Sequence, residues 1–261
     1  MAELLIREDR GAVAYLTLNA PHNLNALSDA MLAALAAEID RLATDPAKVV
    51  VLKGAGRAFC AGHDLREMQA ARQAPDGGAA AFADLFARCT QVMLGLARLP
   101  QPVIAQVHGI ATAAGCQLVA SCDMAVAAEG TRFGVNGVNI GLFCSTPMVA
   151  LTRAVPPRAA FEMLVTGRFV EAEEARTLGL VNRVAPADRL AAETEALAAT
   201  VAGKLGAAVR IGKRTFHDQI ALPVDAAYAL AGRAMAENMA LADTQEGIAA
   251  FLDKRAPDWA G

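Results

Sequence analysis

"PVIAQVHGIATAAGCQLVASCD", Pro102 to Asp123, holds a strand, a glycine-bearing joint and a helix in a single short run. Its opening, Pro102 to Gly109, is a short apolar run with β-branched residues, closed by glycine, and reads as a buried strand. Small residues follow from Ala111 to Gly115, and then an apolar helix carries one uncharged amide, Gln117, where a catalyst would want a carboxylate. Runs of the same strand type stand at Val13–Asn19 (VAYLTLN), Val49–Gly54 (VVVLKG) and Met124–Gly130 (MAVAAEG). Between the first two, Leu27, Met31, Leu32, Leu35, Ile39 and Leu42 fall on one helical face, with Ser28 or Asp29 available as a cap and Pro46 past the end. Strand and helix alternate, so the chain is α/β.

Past Ala187 the pattern changes, because the remaining chain offers helices and no further strand. This divides the chain into a core over residues 1–186 and a helical region over 187–261. The last helix shows capping-box spacing, with Asp243 followed three residues later by Glu246. Ala226, Ala227, Leu230, Met235, Met239 and Leu241 spread over more than one helical face; they pack either on another subunit or on the chain's own core. Gln73 to Phe82, rich in glycine and alanine, reads as a mobile surface loop.

With 261 residues, 55% of them hydrophobic, the chain can bury a sizeable core. A formal net charge of −3 gives no basic field, which argues against a nucleic acid or an anionic membrane as partner. Cys60, Cys89, Cys116, Cys122 and Cys144 are odd in number and lack paired C-x-x-C spacing. They read as buried thiols in a reducing compartment, with no metal site, and the expectation is a soluble cytoplasmic protein.

Two stretches carry chemistry. "GAGRAFCAGHDLREM", Gly54 to Met68, runs from a strand end through a glycine-bearing turn to Ala61-Gly62-His63-Asp64 at the opening of a helix. "HGIATAAG", His108 to Gly115, repeats the design. Glycine and alanine let backbone approach a ligand closely, and the first N–H groups of each helix lack intrahelical partners. Two such donors from separate loops, if they converge, polarise one carbonyl oxygen and hold the negative charge that develops on it.

The wording and order of "AFCAGHDL", the Pro102–Asp123 segment, "TRFGVNGVNIGL" and "LTRAV…EMLVTGRFVEAEEARTLGLVNRV" resemble the crotonase (enoyl-CoA hydratase/isomerase) superfamily over nearly the whole chain, and in particular its divergent enoyl-CoA hydratase domain-containing subgroup. The resemblance implies a ClpP/crotonase-like spiral of β-β-α turns making two nearly perpendicular sheets, with a C-terminal helical trimerisation region and homotrimers that pair into hexamers. It implies an acyl-coenzyme A thioester as substrate, with coenzyme A arriving as part of that substrate and no permanently bound cofactor. By motif match the oxyanion-hole N–H groups fall on His63 and Ala114. The nucleotide would lie against Ala61–Leu65, with Ala61, Asp64 and Leu65 among its contacts, and a neighbouring subunit would contribute Phe251 and Lys254, with Lys254 or Arg255 meeting the phosphates.

Hydratases of this family use two glutamates, whose positions match Gln117 and Gly137. An amide is no base near neutral pH and glycine has no side chain, so efficient hydration is not expected. His63, Cys144, Ser145 and Asn139 remain as other proton-transfer candidates, each with a purely structural alternative. Three readings stand side by side: other groups move the protons, decarboxylation-type enolate chemistry dispenses with a strong base, or the chain binds acyl-CoA without turnover. Installing glutamate at both Gln117 and Gly137 is expected to raise hydration.

Overall fold

The computed structural model describes residues 3–259. Its strands are β1 (Leu5–Arg10), β2 (Val13–Leu18), β3 (Val49–Gly54), β4 (Val103–Val107), β5 (Ile110–Thr112), β6 (Met124–Ala128), β7 (Arg132–Gly134), β8 (Phe169–Glu171) and β9 (Arg183–Ala185). Its helices are α1 (Asp29–Leu42), α2 (Leu65–Ala71), α3 (Ala79–Arg98), α4 (Ala114–Ser121), α5 (Ser145–Ala154), α6 (Pro157–Thr166), α7 (Ala172–Leu178), α8 (Leu190–Ala202), α9 (Gly206–Gln219), α10 (Val224–Met239) and α11 (Ala242–Leu252).

The large sheet has the order β1-β2-β3-β4-β6-β9 and the small one β5-β7-β8. Only β1 runs antiparallel in the large sheet, joined to β2 through Gly11 at φ +59°. Each later parallel step needs a crossover, and the chain uses two of them to lay β5 and then β7 into the second sheet before a helix. That repetition is the β-β-α spiral of the crotonase fold, and the mixed sheets with helices packed on them confirm the α/β assignment.

Both faces of the large sheet are covered, which is why its strands read as continuous apolar runs rather than alternating ones. Ala14, Leu16, Leu18, Val50, Leu52, Val103, Ala105 and Val107 point to the main core with α1, α3 and α4. The intervening Val13, Tyr15, Val49, Val51, Ile104 and Val126 point the other way and are covered by Leu190, Leu197 and Ala198 of α8. Ser28 caps α1, its hydroxyl accepting from the Met31 N–H at 3.2 Å.

The helices after residue 187 do different jobs. α8 is part of the core, whereas α10 buries none of its residues and leaves Tyr228, Met235 and Met239 exposed. α9 is fastened to the sheet by Asp123, at the joint between α4 and β6. One Asp123 oxygen accepts from the Val103 N–H and from Lys213 Nζ, both at 2.7 Å, and the other accepts from His217 Nε2 at 2.9 Å. Lys213 Nζ also donates to the carbonyls of Gln101 at 2.9 Å and Leu96 at 3.1 Å.

Two local expectations are corrected. Of the Gln73–Phe82 stretch only Gln73–Gly78 lies outside regular structure, because Asp76 accepts from the Gly78 and Ala80 N–H groups, each at 2.9 Å, and starts α3 at Ala79. α11 does not use the Asp243–Glu246 capping box: its N-cap is Leu241, and Glu246 is taken by Arg255 at 2.9 Å.

Candidate functional site

The first loop leaves β3 at Gly54, buries Phe59 and Cys60 completely and reaches Gly62 at φ +92°. It is pinned from the outside: the Ala61 N–H donates to Leu24 O at 3.0 Å and the Leu27 N–H to Gly62 O at 2.8 Å. Asp64 then caps α2 by accepting from the Arg66 N–H at 2.9 Å. Sequence reading missed the residue that organises this loop, the buried Asn25. Its Nδ2 donates to the carbonyls of Ala55 and Ala58, both at 2.8 Å, while its Oδ1 accepts from the Ala20 N–H at 2.9 Å. The available signal was an amide residue in the irregular stretch between β2 and α1, a place where such side chains bond backbone.

The second loop follows β5. The Thr112 N–H donates to Cys60 O at 3.0 Å, tying it to the first, and the Ala113 N–H donates to Gly134 O at 2.9 Å. Ala113 lies at φ +50°, ψ −120°, a conformation costly for a residue with a Cβ, and α4 starts at the next residue. The loops touch where both are smallest. A Cβ added to Gly62 would stand 3.0 Å from Ala113 Cβ and 3.3 Å from Ala114 N, and one added to Gly115 would strike the Cys60 carbonyl. Around this contact the Ala61, Asp64, Thr112 and Ala113 amides are used. Among the described residues, the N–H group of His63 has no backbone acceptor, nor do those of Ala114, Gly115 and Cys116 in the open first turn of α4.

Gln117 sits in the first turn of α4, its N–H donating to Ala113 O at 3.0 Å. The residue is 5% exposed, and its Oε1 is buried without a partner among the described residues. The His63 imidazole packs edge-on against Phe86 of α3 at 5.6 Å between centroids, and its Nε2 is likewise buried without a partner.

Burial holds the His63 imidazole down at about 4, so it is neutral at physiological pH. Because the folded-state value lies below the unfolded one near 6.5, the unfolded chain binds the extra proton first. Stability is therefore complete above about pH 6.5 and falls as pH drops toward 4, by up to about 3 kcal/mol from this residue. Urea unfolding at pH 7 and pH 4.5 is expected to show a smaller acid-induced loss for His63→Phe than for the parent chain. Equal losses would mean that the imidazole is solvated.

Gly137 lies in the 3₁₀ turn Asn136–Ile140, which closes on itself through the Leu142 N–H donating to Gly137 O at 2.9 Å. A Cβ there would run into the Leu142 carbonyl oxygen and stand 2.9 Å from Cys144 Sγ. The expectation that glutamate can simply be installed at this position is thus corrected: backbone and thiol fill the space. Burial raises the Cys144 thiol, against a weaker opposing hydrogen bond from the Gly137 N–H.

Asn139 bonds backbone, its Nδ2 donating to Gly167 O at 3.3 Å, and Ser145 Oγ donates to Phe143 O at 3.5 Å. Leu65 is exposed beside half-buried Ala61 and Asp64, so this segment opens to solvent. Phe251 and Lys254 stand apart from it in the chain. Phe251, 82% exposed, lines a groove between α9 and α11 with Val209 and Trp259, and Lys254 occupies the turn after α11 at φ +55°. Arg255 is held by Glu246, whose carboxyl it pulls down to about 2.

The spiral of two sheets and the paired loops define a class, and sequence comparison agrees. The profile of the Enoyl-CoA hydratase/isomerase family matches residues 8–261, and the chain belongs to that family. Mouse enoyl-CoA hydratase domain-containing protein 3, mitochondrial, is 45% identical over 94% of this chain and 80% of its own length. The crystal structure of the human protein of that name superposes with a TM-score of 0.93, at 43% identity, over 98% of this chain and all of its own. A crystal structure of enoyl-CoA hydratase from Mycobacterium smegmatis superposes at 0.96, with 53% identity and complete coverage of both chains. Within the family the chain is therefore close to the divergent subgroup that enoyl-CoA hydratase domain-containing protein 3 represents.

The same relatives overturn the cytoplasmic expectation. Vertebrate relatives of 42–45% identity, from mouse, rat, human, frog and zebrafish, are mitochondrial by name. Buried thiols and a mildly acidic charge describe a folded core, whereas compartments are set by receptor-read addresses.

Proposed function

We propose that the chain is an acyl-CoA thioester enzyme whose His63 and Ala114 amides receive the thioester oxygen and stabilise the enolate charge that develops on it, without a carboxylate base. The supporting observation is the pair of acceptor-free amides at the contact of the two loops. Donors already fixed by the fold pay no reorganisation cost when the charge appears. The family to which the chain belongs acts on thioesters of this class by name.

The same geometry argues against efficient hydration. Gln117 offers an amide and Gly137 a closed backbone where carboxylates would take a proton from water and return one to the α-carbon. Of the acids nearest in sequence, Asp64 is spent on capping α2, and Glu67 accepts from the Asp29 N–H at 2.8 Å. General acid and base groups each contribute about 10²–10⁴-fold.

Incubation with crotonyl-, 3-enoyl-, malonyl- and methylmalonyl-CoA, followed by mass spectrometry, tests the reading. Crotonyl-CoA hydration is expected to run at least about 10²-fold slower than in a relative carrying both glutamates. Hydration at that relative's rate would refute the assignment of the proton-transfer positions. A crystal grown with a CoA thioester is expected to show its carbonyl oxygen within hydrogen-bonding reach of both amides; amides facing another part of the ligand would remove the oxyanion hole.

A further inference from the structure

The Gly62–His63 peptide carries one of the two amides assigned to the thioester oxygen, and its direction is set from behind. In a planar trans peptide the C=O and N–H point opposite ways, so whatever holds the carbonyl also aims the amide. Here the Leu27 N–H donates to Gly62 O at 2.8 Å, and the Asp64 N–H donates to Leu27 O at 3.4 Å. Leu27 thus pairs with His63 as in a parallel ladder, taking the carbonyl before it and the amide after it. The His63 N–H is left pointing away from Leu27. Gly62, at φ +92°, makes this possible, because the chain turns there and gives both the Ala61 N–H and Gly62 O to the same neighbouring segment, Leu24 to Leu27.

That segment is itself held by one side chain. Asn25 is fully buried at φ +55°. Its Nδ2 donates to the carbonyls of Ala55 and Ala58 at 2.8 Å and of Phe59 at 3.2 Å, and its Oδ1 accepts from the Ala20 N–H at 2.9 Å. Main chain and side chain together therefore grip the first loop from Ala55 to Asp64.

We infer that Asn25 is a positioning residue: it locks the Leu24–Leu27 segment onto the first loop, and Leu27 in turn aims the His63 N–H at the thioester oxygen. This rests on the proposed seat of that oxygen at the His63 and Ala114 amides. Asn25 acts through Leu27 and governs one donor of the two. The Ala114 amide needs no such strut, because Ala113 O already accepts from the Gln117 N–H within the first turn of α4.

Isotope-edited infrared spectra of bound butyryl-CoA, labelled at its thioester carbonyl carbon, test the inference at saturating ligand. In the parent chain the carbonyl stretch is expected to fall below its frequency in water. Asn25→Gly removes the side-chain bonds and keeps a residue at ease at positive φ; it is expected to retain only about half of that shift, since one of two donors is no longer aimed. Thr194→Ala weakens the fold at a buried position of α8, on the other face of the large sheet, and is expected to retain the whole shift. A whole shift in Asn25→Gly, or an equal loss in Thr194→Ala, would overturn the assignment. Where Asn25→Gly does not fold, an amide-to-ester exchange at Leu27 removes only the N–H that holds Gly62 O, and a whole shift there overturns the assignment as well. No shift in the parent chain would sink the thioester seat itself, an outcome distinct from a parent shift that the Asn25 variant leaves intact.

Discussion

Gly137→Glu is expected to cost this chain at least about 3 kcal/mol of folding stability, or to prevent folding, instead of restoring a hydratase. The obstacle is main chain. A Cβ at this position meets the Leu142 carbonyl oxygen, and Leu142 cannot swing away freely because its own N–H is bonded to Gly137 O, while the Gly141 N–H donates to Val138 O at 3.1 Å. Flexible side chains yield to added atoms at modest cost, but here a closed turn must open first. Gly137→Ala isolates the effect, since it adds only the offending carbon; urea unfolding is expected to show most of the loss in that variant. Gln117→Glu alone keeps the shape of the residue and is expected to fold. An alanine variant with the parent's stability would show that the turn is soft and that the missing carboxylate is a choice of residue alone.

Asp123→Ala is expected to be comparably severe, with a loss of about 3–5 kcal/mol. The carboxylate serves three donors from two elements: the Val103 N–H at the start of β4, and Lys213 Nζ and His217 Nε2 on α9. Its removal leaves the Lys213 ammonium, only 5% exposed, with carbonyl partners and no counter-charge. Burial already holds the Lys213 pKa below the ordinary lysine value, and Asp123 is the main influence opposing that shift. Lys213→Met is expected to cost less, because Asp123 keeps its other two donors and an apolar chain of similar length fills the space. Thermal or urea unfolding of the two variants checks the order, and a loss below about 1 kcal/mol for Asp123→Ala would show that α9 is held by packing rather than by this carboxylate.

The parts of the fold read correctly from sequence are those whose cause is local. Val49–Gly54 needed only a β-branched run and a closing glycine to be recognised as a strand, and a place before an apolar helical face narrowed the cap to Ser28 or Asp29, of which the fold uses Ser28. The errors fall where a second partner competes. Glu246 has the right spacing for a capping box but lies within reach of Arg255, and the stretch after Gln73 looks like loop until Asp76 is seen accepting from the Gly78 and Ala80 N–H groups at the start of a helix. Asn25 was silent for the same reason, since its worth lies in carbonyls some thirty positions further along the chain.

By itself the sequence determined that buried strands alternate with helices, that two small-residue bends precede helices, and that the positions matching the family's glutamates hold an amide and a glycine. Tertiary structure alone decided that these bends press together with the His63 and Ala114 amides among those left without a backbone acceptor, that backbone and not merely residue type closes Gly137, and that one aspartate fixes a helix about ninety residues away. Periodicity and turn chemistry act between near neighbours and leave a mark in the order of residues. Convergence of loops is set by how whole elements pack, and no single stretch of chain encodes it.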